Sequence, residues 1–240
     1  MKTKKVLCIH GIGGKDALMN ENMGWVKDWR EALIGHLGLM NDQDVQFMPF
    51  DSFFKPYDAT ATDYLRFLSQ SFLGLWGDRR RHKGLVKDWM DNYPDMVVEF
   101  FQHPDLRMKL RNELKKYITI LKPDVIYAHS LGSLLCYDYF SHPENQKGHE
   151  NIILVTAGSQ LGNPGLKYHL PYPIVRLPLN KWYNLNNNYD NVFARHDISV
   201  KFDNFMQIET LFDDEDDPMN HNGLSYLNNE HAISKVWKQI

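Results

Sequence analysis

"DVIYAHSLGSLLCYDYF" (residues 124–140) changes character at one residue. Val125 to Ala128 form an apolar run of the length a buried strand takes, and from Leu131 onward the pattern is helical. Between them sits Ser130, with His129 before it and Gly132 two residues after. A strand that feeds straight into a helix is the first half of a βαβ unit, so this stretch predicts a parallel sheet with helices packed on it. Ala128 and Gly132 are small enough for neighbouring backbone to pass close to the turn. Such a turn carries the Ser130 hydroxyl above the C-terminal edge of the sheet.

The same alternation extends in both directions. "KVLCIH" (5–10), "DVQFMPF" (44–50), "NIILVTA" (151–157), "KWYNLNN" (181–187) and "NFMQIETLF" (204–212) are further short runs, which makes about six strands with the one at 124–129. Helical periodicity covers Gly24–Leu37 and "DLRMKLRNELKKYITILK" (105–122), where Leu106, Leu110, Leu114 and Ile118 fall in register. An amphipathic helix over Gly223–Gln239 closes the chain. The expected architecture is α/β: three layers around a mostly parallel central sheet, with residues 1–240 as one domain.

Residues 55–103 break this rhythm, being too long for one crossover. Thr62 or Asp63 can cap a helix that puts Leu65, Leu68, Phe72 and Leu75 on one face, and a second piece holds Trp89, Met96, Val97, Phe100 and Phe101. A helical insertion is expected there, either as extra packing at the domain edge or as a cap over a pocket. The run "RRRHK" (79–83) within it reads as a solvated turn.

Bulk composition narrows the function classes. A hydrophobic content of 43% and a charged content of 24% over 240 residues are those of a globular protein with a substantial core. The formal charge of −3 gives no electrostatic reason to expect nucleic acid. Cys8 and Cys136 lie in apolar contexts without metal-ligand spacing, so both are expected to be reduced and buried. The apolar run before His10 is too short for a signal peptide, and no segment approaches the roughly 20 apolar residues of a membrane span. A cytoplasmic protein is the default, with leaderless export left open.

Chemistry concentrates at two turns. After 124–129, the strained strand-to-helix turn "AHSLG" has the form of a nucleophile elbow, G-x-S-x-G, with alanine in first place. The following helix N-terminus has unpaired N–H groups that favour developing negative charge. The plainer reading of Ser130 is a helix cap, and His129 beside it reads as a packing residue. After the first strand, "HGIGG" (10–14) leaves through three glycines, which frees backbone N–H groups to face the same space. The donors that could hold an oxyanion are the N–H of Ile12 and that of Leu131; losing one such donor typically costs about 3–4 kcal/mol of barrier. Phosphate-binding patterns fail at this glycine turn. Ile9 stands where a Walker motif needs its first glycine, and Asp16 stands where that motif needs Ser or Thr and where a dinucleotide motif needs its third glycine. His10 reads as a structural residue holding the loop.

With "VLCIHGIGG" and "AHSLG" together, the chain resembles the α/β-hydrolase superfamily, and in particular the small bacterial lipases and esterases with an A-H-S-x-G elbow. The resemblance spans nearly the whole chain except the insertion at 55–103. It implies a triad in the chain order Ser, acid, His, the last two on loops after late strands. In "NYDNVF" (188–193) that places the acid at Asp190, with Asp197 as the alternative. In "DDEDDPMNHNGLSYL" (213–227) it places the base at His221, ahead of the last helix, rather than at His231 within it. The acidic run Asp213–Asp217 lacks the ligand alternation of a calcium loop and reads as solvated. The expected chemistry is then hydrolysis of a small-molecule or lipid-like carboxylic ester through Ser130, His221 and Asp190, requiring neither metal nor organic cofactor. A thioesterase, an amidase or a binding protein without turnover would use the same parts.

Overall fold

Each residue of Val6–Ile9 (β1) is buried, and alternate side chains leave the strand on opposite faces. Leu7 and Ile9 join one apolar cluster, Val6 and Cys8 another, so the strand must be covered on both sides. The computed structural model describes residues 4–11, 23–58, 60, 95–163, 166, 168–171, 173–191, 197–213, 217 and 219–240. Five more strands complete the sheet: β2 (Val45–Phe47), β3 (Val125–His129), β4 (Ile153–Ala157), β5 (Lys181–Asn186) and β6 (Phe205–Glu209). All pairings are parallel, in the order β2-β1-β3-β4-β5-β6. The six expected strands are therefore all present.

The helices divide between the two faces. On the face of Leu7 and Ile9 lie α2 (Asp95–Gln102), α3 (Pro104–Leu121) and α4 (Leu131–Ser141), packed through residues such as Phe100, Leu110 and Leu135. On the other lie α1 (Gly24–Leu37), α5 (Gly223–Asn228) and α6 (Glu230–Lys235), through Trp29, Leu33, Tyr226 and Ala232. Three layers result. In α3, Leu106, Leu110, Leu114 and Ile118 are the buried residues, the register read from sequence. All eleven residues of α4 are buried, which brings Asp138 into the interior. The carboxylate of Asp138 is held there by Arg107 and, at 2.7 Å, by Arg111, both from α3.

The C-terminal element departs from expectation. Instead of one helix over Gly223–Gln239, the chain forms α5 and α6, followed by a 3₁₀ turn over Trp237–Gln239. The break falls at Asn229, which adopts extended geometry while its side chain accepts from the N–H of His231 at 2.9 Å. Asparagine competes for backbone hydrogen bonds in this way and starts a new helix where the apolar period alone would continue the old one.

Of the insertion expected over 55–103, α2 is described. Its Met96, Val97, Val98, Phe100 and Phe101 are buried in the cluster that covers Leu7 and Ile9. Thr62, Asp63, Leu65, Leu68, Phe72, Leu75, Trp89 and the basic run at 79–83 lie outside the described residues. Cys8 and Cys136 are buried free thiols, and burial pushes both far above the usual thiol range. No described helix is long and apolar enough to cross a membrane.

The chain reverses direction across the sheet at β1: β2 lies on one side and β3 on the other. Parallel sheets open a crevice at the carboxyl ends of the strands flanking such a point. Its floor is tight, because a Cβ at Gly132 in α4 would stand 2.6 Å from the carbonyl oxygens of both Ile9 and His10. Gly132→Ala is expected to cost about 1–3 kcal/mol, seen as a lower urea midpoint with an unchanged m-value.

Candidate functional site

Only Ser130 separates β3 from α4, and its backbone takes φ 52° and ψ −123°, a region that L side chains rarely occupy. Such a conformation costs about 1–3 kcal/mol and persists only where its surroundings enforce it. Here its N–H donates to the Ala157 carbonyl at 2.9 Å, and its carbonyl accepts from the Ser133 N–H at 2.9 Å and from the Ser133 hydroxyl. The Ser133 hydroxyl is also hydrogen-bonded with that of Ser159, just past β4. The turn is thereby tied at two points to the end of β4.

Glycines leave room for the side chains gathered there. A Cβ at Gly11, after β1, would stand 2.8 Å from Ser130 Cβ and 3.3 Å from its Oγ. A Cβ at Gly158, after β4, would stand 2.8 Å from Cε1 of His221.

Asp190 follows β5 and is fully buried, with its N–H donating to the Asn187 carbonyl at 3.1 Å. Its Oδ2 lies 2.7 Å from Nδ1 of His221 and accepts the Tyr226 hydroxyl at 2.6 Å. The carboxylate therefore holds the imidazole in the tautomer that carries its proton on Nδ1 and leaves Nε2 as an acceptor. That Nε2 is buried and has no hydrogen-bond partner among the described residues. The backbone of His221 is fixed separately, its N–H donating to Asp217 Oδ2 at 2.6 Å.

Asp190 and His221, 31 residues apart, are thus joined directly. Ser130 belongs to the same cluster through its neighbours: the ring of His129 lies 4.7 Å from that of His221, and the residue after Ala157, which holds the Ser130 N–H, is Gly158 against the imidazole. Its hydroxyl and Nε2 of His221 are not hydrogen-bonded in this conformation. Leu131 opens α4 and is buried, which puts its N–H in the first turn of that helix. Ile12 lies outside the described residues.

The alternatives sit elsewhere. Asp197 accepts from Asn186 and Gln207 in a polar network along β5 and β6, and His231 contacts the Glu209 carbonyl at 2.8 Å. His10 stacks on Phe50 with ring centroids 4.6 Å apart, and its Nε2 approaches Asp51 to 2.9 Å off the hydrogen-bonding axis. His129 is buried between Trp29, Tyr226 and His221. Burial above all, then the imidazoles of His221 and His10, hold it well below the usual histidine range.

Two contributors escape the sequence reading. Tyr226 presents itself there as a core aromatic, although the spacing His-Asn-x-x-x-Tyr across a helix start carries a signal. Asp217 sits in the acidic run expected to be solvated, yet one of its carboxylate oxygens holds the backbone of His221. Among the described residues no group of His, Cys, Asp and Glu is arranged to hold a metal ion. No family model matches this sequence, and no curated protein matches it. Geometry alone speaks to its chemistry.

The neutral state of His129 makes stability depend on pH. Below about pH 6.5 the unfolded chain takes up a proton that the folded His129 refuses, so folding loses free energy as pH falls. His129→Gln is expected to remove about 1 kcal/mol of that loss at about pH 5.5. In thermal melts the fall in Tm on acidification should become shallower without vanishing, because burial also lowers His149.

Proposed function

We propose that the chain is a serine hydrolase that cleaves carboxylic esters through an acyl-enzyme. The observation that carries this reading is a serine held at positive φ on a strand-to-helix turn, whose preceding residue, His129, packs against an imidazole that is tied to a buried carboxylate and, among the described residues, unengaged at Nε2. In the proposed cycle Ser130 attacks the acyl carbonyl while His221 takes its proton at Nε2. Asp190 orients the ring and stabilises its charged form. The oxyanion is held by the N–H of Leu131, in the first turn of α4, and by that of Ile12. His221 then protonates the leaving alkoxide, and water releases the acid by the reverse steps.

The hydroxyl must come within hydrogen-bonding reach of Nε2 for this to run. A rotation of the Ser130 side chain or a tilt of the imidazole supplies that contact, and such bonds commonly tighten only in the substrate complex. The proposed substrate is a small-molecule or lipid-like ester, with thioesters and amides as the competing classes for the same triad, and the proposed setting is the cytoplasm.

The unmade bond favours one other reading, a hydrolase-like binding protein without turnover. A fluorophosphonate probe separates the two, because it labels an activated serine. Wild type is expected to label and Ser130→Ala to remain unlabelled. In p-nitrophenyl ester turnover, Ser130→Ala and His221→Ala should each lose at least about 10⁴-fold in kcat and Asp190→Asn about 10²- to 10⁴-fold. No labelling of the wild type, or activity that survives in Ser130→Ala, removes the proposal.

A further inference from the structure

Helix α5 begins with Asn222 as its cap, the side chain accepting from the Leu224 N–H at 2.9 Å. Counting from that cap, His221 occupies the position just before it and Tyr226 the fourth position inside the helix. These are the two positions whose side chains ordinarily meet as an apolar staple over a helix start. Here they meet through a third group instead: both donate to the same oxygen, Oδ2 of Asp190, the imidazole at 2.7 Å and the phenol at 2.6 Å. The chain thus uses a local device for fixing the entry angle of a helix to set a histidine against an acid 31 residues away.

We propose that Tyr226 is the positioning residue of the site, a hydrogen-bond donor that fixes the Asp190 carboxylate in the orientation His221 requires. This rests on the serine-hydrolase reading. The supporting geometry is specific to the hydroxyl. The Tyr226 side chain is completely buried, its ring meets Phe212 edge-on at 4.9 Å, and α5 fixes its backbone, so the phenol has one direction in which to donate. Burial and the adjacent Asp190 charge push the phenol far above its usual range, which keeps it a donor throughout the pH range of activity.

The phenol does two things to Asp190. It prevents the carboxylate from rotating away from Nδ1, and it withdraws part of the charge that the imidazolium would otherwise face. Among the described residues the groups around that histidine are Asp190 after β5 and His129 at the end of β3 against its ring, Asp217 in its own loop on its backbone N–H, and Tyr226 on α5 through the shared carboxylate. Without the phenol the ring is less well oriented. Its charged form is also better stabilised, so the base stays protonated to higher pH.

A second buried tyrosine provides the control. The hydroxyl of Tyr127 on β3 donates to the Gly223 carbonyl at 2.7 Å, so it braces the start of the same helix without touching Asp190. The experiment follows the rate of fluorophosphonate labelling against pH in wild type, Tyr226→Phe and Tyr127→Phe. Tyr226→Phe is expected to label about tenfold more slowly, with the acid limb of its profile moved to higher pH; Tyr127→Phe should keep the wild-type profile. If wild type labels and Tyr226→Phe matches it in rate and profile, the positioning role is wrong while the hydrolase reading stands. Equal slowing of both variants with an unmoved limb would assign Tyr226 to the fold alone and overturn the role. A wild type that fails to label removes the hydrolase reading and this inference together.

Discussion

One residue joins β3 to α4, and the arrangement around it follows from how little chain that leaves. With a single linking residue, the backbone must enter a left-handed conformation at Ser130, and α4 must start hard against the end of β1. Neither condition is favourable locally. Both are enforced by the wholly buried α4 and by the bond from the Ser130 N–H to β4. The buried hydroxyl consequently lies at the carboxyl end of the sheet, against the glycine turn that follows β1. A longer connection would relax the strain and lose the placement.

Two buried carboxylates show how differently the fold treats such groups. Asp138, inside α4, meets two guanidinium groups from α3. That is full charge pairing, and it cross-braces two helices. Asp190 meets a phenol and an imidazole instead. Both groups donate to the same oxygen, Oδ2, so hydrogen bonds from two separate elements orient this carboxylate. Asp138 locks two neighbouring helices together, whereas Asp190 joins the loop after β5 to the start of α5.

Strands were the most legible feature of the sequence because parallel strands covered on both faces read as unbroken apolar runs. "VLCI" and "VIYAH" are visible without any knowledge of their partners. The crossover helix was equally open, since Leu106, Leu110, Leu114 and Ile118 repeat every four residues. The apolar periodicity that predicts one closing helix runs straight through Asn229, and only the side chain's capping bond reveals the break between α5 and α6. The turn at Ser130 could be read from its small neighbours. Asp190 and His221 stand out only in the light of the resemblance, as nothing in their spacing predicts the bond that joins them. Tyr226 and Asp217 stayed hidden for a related reason: a core aromatic and one acid among five neighbours look ordinary until the fold gives them partners.

The strand order also governs when the molecule can fold. β1 pairs with β2, a strand of three residues, and with β3, whose first residue lies 119 positions further along the chain. A nascent chain that has not yet reached β3 holds two parallel strands with too few ladder bonds to stand alone. The central pairing must close a long loop before its contacts can repay the entropy. Assembly of this sheet therefore waits on its middle, and β1 and β2 stay without their central partner until β3 has been made.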